Sequence, residues 1–222
     1  MVKTIQHTSL GEKTYTELKN LILSGQVKPG ERLFYQQLVD QLGVSQTPIK
    51  EAFTKLENEG YLITIPRKGT FVRELSAKEI REIFQIREML EALAVRLTCR
   101  HTDNQAAKLL TETNKKFRAA FQKRDIKECT HEDYNFHETI IKLSGNEKLF
   151  DLMTRSNLHL LSIAQSSPNF LDIAAEYYKK HAEIIDAIQR HDEKAAEQLI
   201  REHIAYGQEQ VLKFMEAGSA PH

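Results

Sequence analysis

The sequence lacks several features that mark whole classes of proteins. It has two cysteines in 222 residues, Cys99 and Cys129, and they form neither a zinc-type CxxC pair nor a disulfide framework. Lysine plus arginine number 31, and so do aspartate plus glutamate, so net charge identifies no partner and no basic tail is present. The first residues do not resemble a secretory signal, and no apolar run approaches membrane-spanning length. These absences predict a cytoplasmic protein in a reducing compartment, with no membrane partner.

What the sequence does contain is an ordinary globular composition with an uneven distribution of histidine. Apolar residues make up 41% of the chain and charged residues 28%, as is typical of a soluble protein. Of nine histidines only His7 precedes residue 100. The length suits one large or two small domains, and the histidine bias favours two parts with different roles.

The first third of the chain has the pattern of a winged helix-turn-helix. Three amphipathic segments, each ended by a glycine, predict three helices, residues 9–24, 35–42 and 45–59. Two β-rich runs around a glycine-containing turn then predict a hairpin, residues 61–65 and 70–73. This order of elements is that of a winged helix-turn-helix. It favours DNA binding, with a plain protein–protein module as the alternative.

Residues expected to contact DNA lie at the start of the third helix and at the tip of the hairpin. The third helix of such a fold enters the major groove by its N-terminal end, where Gln46 can read an adenine edge. Ser45 is also expected to cap this helix. Basic side chains at the hairpin tip can reach the DNA backbone or the minor groove. The predicted DNA-contacting set is Ser45, Gln46, Thr47, Lys50, Arg67, Lys68 and Gly69.

This part of the chain also resembles a known family. Three anchors keep the spacing of the N-terminal domain of GntR-type bacterial transcription regulators: Pro29-Gly30, Gly43-Val44-Ser45 and Thr47-Pro48. The resemblance covers residues 9–73 and implies that they bind DNA. The family usually carries arginine where this chain has Gln46 and Lys50. Lysine is not equivalent to arginine at a bidentate guanine contact, so the family does not define the operator sequence here.

The rest of the chain predicts an all-helical domain. After a linker at 74–78, six helical segments follow, residues 77–100, 103–124, 126–144, 146–166, 171–190 and 192–216. Short links between helices this long imply antiparallel neighbours in a bundle. The predicted fold class is therefore mainly α. A winged helix-turn-helix DNA-binding domain spans 9–73, and a six-helix antiparallel bundle spans 77–216.

Four side chains able to ligate metal fall on the apolar faces of three of these helices. At about 100° per residue, Asp133 and His137 share one inner face, and His181 and His203 lie near the centres of two others. One inward histidine is more often a satisfied core residue, and the Asp133–His137 pair alone could be a buried hydrogen bond. Burying all four is costly unless they are satisfied, and one divalent metal would satisfy them together. Nitrogen ligands with one carboxylate suit zinc first, with nickel, manganese or iron as alternatives.

Arg87 and Glu91 form a further inward polar pair, on the first helix of the bundle. One interpretation is a buried salt bridge that fixes helix register. The other is that Arg87 binds an effector carboxylate through its fork of donors, with Asn157 lining the same region. Glu91 is expected to be paired, so Asp133 is the only carboxylate predicted on the metal-facing side.

A second resemblance covers this domain. The motif Asp133-x-x-Phe136-His137, followed by His181 and His203, resembles the FCD ligand-binding domain of the FadR-like branch of GntR regulators. The resemblance implies that the aspartate and the three histidines bind a metal that helps to hold a small carboxylate effector, with Arg87 beside it. Six helices rather than seven resemble the shorter VanR-like subgroup.

Together these features predict a transcription regulator and not an enzyme. A homodimer would bind a palindromic operator in double-stranded DNA, under the control of a small organic acid bound beside the metal, and the family implies repression. One alternative is a hydrolase that activates water at the His₃Asp site, which the absence of a candidate general base disfavours. The other is a constitutive DNA-binding dimer with a purely structural metal.

Overall fold

The computed structural model describes residues 9–23, 25–101, 104–153 and 170–218. The chain divides into two compact units, and the division falls between Glu74 and Leu75. None of the helices in the described ranges is both long and apolar enough to cross a membrane.

The described part of the first unit contains three helices and a three-stranded antiparallel sheet. The helices are α1 (Leu10–Leu23), α2 (Tyr35–Leu42) and α3 (Gln46–Asn58). The strands are β1 (Arg32–Leu33), β2 (Leu62–Ile65) and β3 (Gly69–Val72), in the order β1-β3-β2. The β2–β3 hairpin and the three helices agree with the sequence pattern. Strand β1 was not predicted, because two residues are too short to show a periodicity.

Helix α3 is held in place by apolar packing and by polar links to α1. Its inner face is fully buried at helical spacing through Ile49, Phe53 and Leu56. At its C-terminal end the Tyr15 hydroxyl and the Lys19 ammonium both donate to the Glu59 carboxylate, at 2.8 Å. This packing leaves the opposite, polar face of α3 exposed to solvent.

A tight turn joins α2 to α3. Gly43 ends α2 in the left-handed conformation, with φ +64°, and its N–H donates to the Val39 carbonyl. Ser45 then has the extended backbone of an N-cap residue, but its side chain makes no capping hydrogen bond. The prediction that the Ser45 hydroxyl caps α3 is therefore wrong, and this exposed side chain is left available for other contacts.

The second unit is built from helices alone in its described residues. They are α4 (Ala77–His101), α5 (Asn104–Gln122), α6 (Ile126–Leu143), α7, α8 (Phe170–Gln189) and α9 (Glu193–Gly218). Helix α7 begins at residue 147 and is described as far as residue 153. Two helix starts have an aspartate cap, since Asp125 accepts from the Glu128 N–H and Asp192 from the Ala195 N–H. The predicted mainly-α fold class is confirmed.

The bundle core lies where α4, α6, α8 and α9 meet. Helix α4 packs along α9, α6 lies against α4 and α5, and α8 lies against α5 and α9. The shared apolar core includes Ile80, Phe84, Val95, Phe136, Ile140, Ile184, Ile188 and Ile200. Because these helices face a common core, polar residues on their inner faces are brought together in the middle of the bundle.

Candidate metal centre and nucleic-acid interface

The four predicted metal ligands converge at one point in the second unit. Asp133 and His137 lie one turn apart on α6, His181 lies on α8 and His203 on α9. One ligand atom from each residue lies within 4.8 Å of the others. The three histidines are buried, and Asp133 is partly buried. The helical periodicity in the sequence therefore identified side chains that the fold brings together from three helices.

The separations between the donor atoms match those around a single metal ion. Nε2 of His203 lies 3.0 Å from Nε2 of His137 and 3.3 Å from Nε2 of His181. Oδ1 of Asp133 lies 3.3 Å from His181 Nε2 and 4.0 Å from His137 Nε2. Ligand atoms bound at about 2.1 Å from one ion lie about 3.0–3.4 Å apart when adjacent and about 4.2 Å apart when opposite. Four of the six separations between the donor atoms therefore fall in the range expected for ligands of one ion.

The protonation of these groups also fits a cation. Burial lowers the pKa of His181, although the neighbouring Asp133 opposes this effect. Burial, together with the adjacent His181 and His137, lowers the pKa of His203 well below its ordinary value. Burial alone would raise the pKa of Asp133, but the surrounding histidines and Arg87 lower it overall. Neutral imidazoles and an ionised carboxylate are the forms that ligate metal.

Three buried polar atoms of the site have no hydrogen-bond partner among the described residues. They are Oδ1 of Asp133, Nδ1 of His181 and Nδ1 of His203. An unsatisfied buried polar ring is costly. A cation in the donor cluster would bind Oδ1 of Asp133 and the Nε2 atoms of both rings, and it would offset part of that cost. The residues present fit a divalent metal.

Glu91, on α4, contacts the candidate metal site through the ring of His137. Its side chain is 0% exposed, and Oε2 lies 2.5 Å from His137 Nδ1. Oε1 accepts a hydrogen bond from Arg87 Nε at 2.5 Å, and Arg87 is 11% exposed. Burial acts to raise the pKa of Glu91, but Arg87 and His137 outweigh it and lower the pKa to about 2.

The structure thus supports the salt-bridge interpretation of Arg87 and extends it. The expectation that Asp133 is the only carboxylate on the metal-facing side is wrong, because Glu91 contacts a candidate ligand. The ion pair could be predicted from the sequence, because Glu91 follows Arg87 by four residues on an inner helix face. The contact with His137 depends on the packing of α4 against α6, and a single-helix pattern contains no information about that.

Aromatic rings fix the orientation of the imidazoles. The Phe136 ring stacks on His181 with 3.8 Å between centroids, and the Tyr177 ring meets His203 edge-on at 5.1 Å. Gly207 on α9 faces the Tyr177 hydroxyl, and a Cβ atom at this glycine would lie 3.1 Å from that oxygen. Burial and the Asp133 charge raise the pKa of Tyr177, so its hydroxyl remains a neutral donor.

Asn157, predicted to lie beside Arg87, falls outside the described residues. Of the other histidines, His131 on α6 is exposed, as its position on the outer face predicts. His191 lies in the turn between α8 and α9, and its Nδ1 is 2.8 Å from the Cys99 carbonyl oxygen. Neither of these two histidines belongs to the donor cluster.

In the first unit, the predicted DNA-contacting residues lie at two places. Ser45, Gln46, Thr47 and Lys50 are exposed at the start of α3. Arg67 and Lys68 are exposed between β2 and β3, and Gly69, the first residue of β3, is partly buried. Helix α3 has no acidic residue in its first turn, so no carboxylate in that turn repels a phosphate.

The turn at the tip of the hairpin holds Arg67 in an unusual backbone conformation. The Lys68 N–H donates to the Ile65 carbonyl at 3.0 Å, which closes a four-residue turn. Arg67 occupies the third position with φ +64°, where glycine or asparagine is normally found. Strain of this kind is concentrated at functional sites. An arginine in place of glycine at an exposed tip favours a role for its side chain.

Arg32 is a further cation beside this tip that the sequence pattern missed. Its guanidinium carbon lies 4.6 Å from the centroid of the Phe34 ring. The same guanidinium covers the open face of Gly69, where a Cβ atom would lie 2.8 Å from Arg32 Nε. Arg32 therefore lies close to the segment that carries Arg67 and Lys68. The signal for it was indirect, since it depends on the unpredicted strand β1.

Comparison with known proteins covers both units. The family of bacterial regulatory proteins called gntR matches residues 10–72, and the FCD domain matches residues 82–206. An uncharacterized HTH-type transcriptional regulator, YdhC of Bacillus subtilis (strain 168), is 31% identical over 92% of this chain and 92% of its own length. The HTH-type transcriptional repressor RspR of Escherichia coli (strain K12) is 23% identical over 95% of this chain and 92% of its own.

A solved structure has the same fold. E. coli McbR/YncC aligns with a TM-score of 0.81 at 23% identity, covering 93% of this chain and 99% of that chain. The relatives named above are transcription regulators, which disfavours the hydrolase alternative. The chain therefore belongs to the GntR family of bacterial regulatory proteins and is a DNA-binding transcription regulator with a C-terminal FCD domain.

Proposed function

We propose that this regulator binds a divalent metal through Asp133, His137, His181 and His203, and that a small organic acid bound beside the metal controls operator binding. The observation that carries the proposal is the convergence of four donor atoms, from three helices, within 4.8 Å. Three imidazoles and one carboxylate suit zinc first, with nickel, manganese or iron as alternatives.

Arg87 supplies a reason for the effector to be an anion. One of its nitrogens, Nε, is engaged by Glu91. Its terminal nitrogens donate to no side chain in the part of the chain that the structure describes. A nearly buried guanidinium with free donors favours a carboxylate partner, and carboxylate oxygens are also good ligands for these metals. A small organic acid satisfies both groups.

DNA binding is assigned to the exposed start of α3 and to the hairpin tip. Gln46 would read a base edge in the major groove, and Ser45 would contact a phosphate. Thr47 and Lys50 would contact either a phosphate or a base edge. The cations of the hairpin, Arg67, Lys68 and Arg32, would bind the backbone or the minor groove. The proposed interface keeps the whole predicted set, including Gly69, and adds one residue, Arg32.

A homodimer on a palindromic operator completes the proposal. Ile86 and Met89 on α4 are 56% and 61% exposed, and exposed apolar side chains on one helix favour a surface covered by a second copy. Two DNA-binding domains related by a two-fold axis require two half-sites. Repression is the proposed sign of regulation, supported by the name of the relative RspR.

The test begins with an operator fragment selected from random DNA by the zinc-loaded protein. A panel of small carboxylic acids is then titrated while operator binding is followed. We expect at least one acid to release the DNA, because a ligand that prefers one conformation shifts the equilibrium toward it. His181→Ala should abolish that response while the apo protein still binds DNA. No response to any acid would favour a purely structural metal.

A further inference from the structure

We infer that Glu91 is a positioning residue of the metal centre, which holds His137 in the tautomer that presents Nε2 to the metal, and that Arg87 in turn holds Glu91. The inference rests on the proposed metal binding. It assigns a role to α4, a helix that supplies none of the four candidate ligands.

The two ring nitrogens of His137 face different groups. Nδ1 lies 2.5 Å from Glu91 Oε2, whereas Nε2 lies 3.0 Å from His203 Nε2. An ionised carboxylate accepts hydrogen bonds but has no proton to donate. The proton of a neutral His137 ring therefore belongs on Nδ1, and Nε2 keeps its lone pair. A carboxylate behind a histidine in this way fixes the ring and raises its basicity as a ligand.

Arg87 explains how a carboxylate can remain charged at this depth. A buried charge is expensive unless it is paired and hydrogen-bonded. Arg87 lies one turn before Glu91 on α4, and its Nε–H donates to the oxygen that His137 does not use. Each oxygen of Glu91 thus accepts from one donor. Arg87, Glu91 and His137 form a continuous chain of contacts from the proposed effector anchor to the metal ligand.

A glutamine at position 91 cannot reproduce these contacts. Its amide has one acceptor oxygen, and its nitrogen can only donate. If the oxygen accepts from His137, the amide nitrogen faces Arg87, which also only donates. If the oxygen accepts from Arg87, the amide nitrogen forces His137 Nδ1 to become an acceptor and moves the ring proton to Nε2. The second arrangement removes the lone pair that a metal needs.

Glu88 provides a matched control on the same helix. Its carboxylate pairs with Arg201 at 2.8 Å and is partly exposed, whereas the Glu91 carboxylate is fully buried. Glu88→Gln removes the same charge and also breaks an ion pair, but it touches no member of the donor cluster. The comparison of the two variants separates positioning of His137 from a general loss of negative charge.

The experiment measures zinc affinity by competition with a chromophoric chelator. We expect Glu91→Gln to weaken zinc binding by about 10- to 100-fold, while Glu88→Gln stays within about twofold of the natural protein. Circular dichroism of the apo variants checks that the bundle is retained. Wild-type zinc affinity in Glu91→Gln would overturn the inference. Absence of metal binding by the natural protein would instead refute the proposed function.

Two further measurements keep the inference testable if Glu91→Gln does not fold. Nitrogen-15 spectra of the apo natural protein should show His137 protonated at Nδ1, and protonation at Nε2 in the neutral ring would contradict the assignment. Arg87→Gln should weaken zinc binding, and the double variant with Glu91→Gln should lose about as much as Glu91→Gln alone. Fully additive losses would show that Arg87 does not act through Glu91.

Discussion

The Nε2 atoms of His137 and His203 face each other at 3.0 Å in the interior of the bundle. Two neutral imidazoles that approach in this way can share one proton, or they can both bind the same cation. The neighbouring Nε2 of His181 is 3.3 Å from His203, so a single proton cannot satisfy all three rings. A metal bound between them would satisfy all three rings and should therefore stabilise the fold.

Zinc should stabilise the natural protein against heat. A ligand present at about 100 times its dissociation constant adds about 2.7 kcal/mol to the free energy of unfolding. For a protein of this size, that corresponds to an increase in Tm of roughly 5–10 °C. His137→Ala should lose most of the increase. His131→Ala, an exposed histidine on the same helix, should keep it. Equal responses of the two variants in thermal scans would argue against the site.

Arg67→Gly should separate folding from DNA binding. Arg67 has φ +64°, so glycine relieves strain and should leave stability unchanged or raise it by about 1 kcal/mol. Loss of one phosphate contact should weaken operator binding and reduce the salt slope by about one. Arg67→Ala is the companion variant, because it loses the same cation but keeps the strain. If both variants bind the operator as tightly as the natural protein, Arg67 is not at the interface.

Gln46 should determine the preference of the protein for one base pair of the operator. Gln46→Ala should relax discrimination at one base pair by about 1–3 kcal/mol, because a bidentate contact with adenine is lost. Thr54→Ala serves as a control further along α3, where the hydroxyl donates only to the Lys50 carbonyl. Binding to operators substituted at each position would measure the effect. An unchanged base profile would remove Gln46 from direct readout.

Lys50→Ala should weaken operator binding with the fold intact. Its side chain is exposed one turn into α3 and can contact either a phosphate or a base edge. A uniform loss across operator variants, with a salt slope lower by about one, would indicate a phosphate contact. A loss confined to one base pair would indicate a base contact. Unchanged affinity for every variant would place Lys50 outside the interface.

The two thiols should react slowly in the native state. Cys99 and Cys129 are buried. Burial, aided by nearby acidic groups, raises the pKa of Cys99 to about 11 and that of Cys129 to about 12. A raised pKa leaves less of the reactive thiolate at any pH below it. Near pH 8, labelling should therefore be at least about 100-fold slower than in denaturant. Rapid native labelling of either thiol would contradict the packing described here.

Patterns within one helix explain what could be predicted from the sequence. The inward positions of His137, His181 and His203 follow from the 3.6-residue period, because each helix must bury one apolar face. The contact of Glu91 with His137 could not be predicted, since it depends on how α4 packs on α6. The backbone strain at Arg67 could not be predicted from the sequence either, because an arginine gives no local signal for a left-handed backbone.

The distance along the chain between the donors links the metal centre to folding. His137 and His203 are 66 positions apart in the sequence, and His181 lies between them on a third helix. No short segment of the unfolded chain contains all four donors, so the full site exists only after α6, α8 and α9 have assembled. A metal that needs the full set binds the native bundle alone, and its binding energy becomes folding energy. The rate of metal uptake during refolding would therefore measure the rate at which the bundle is completed.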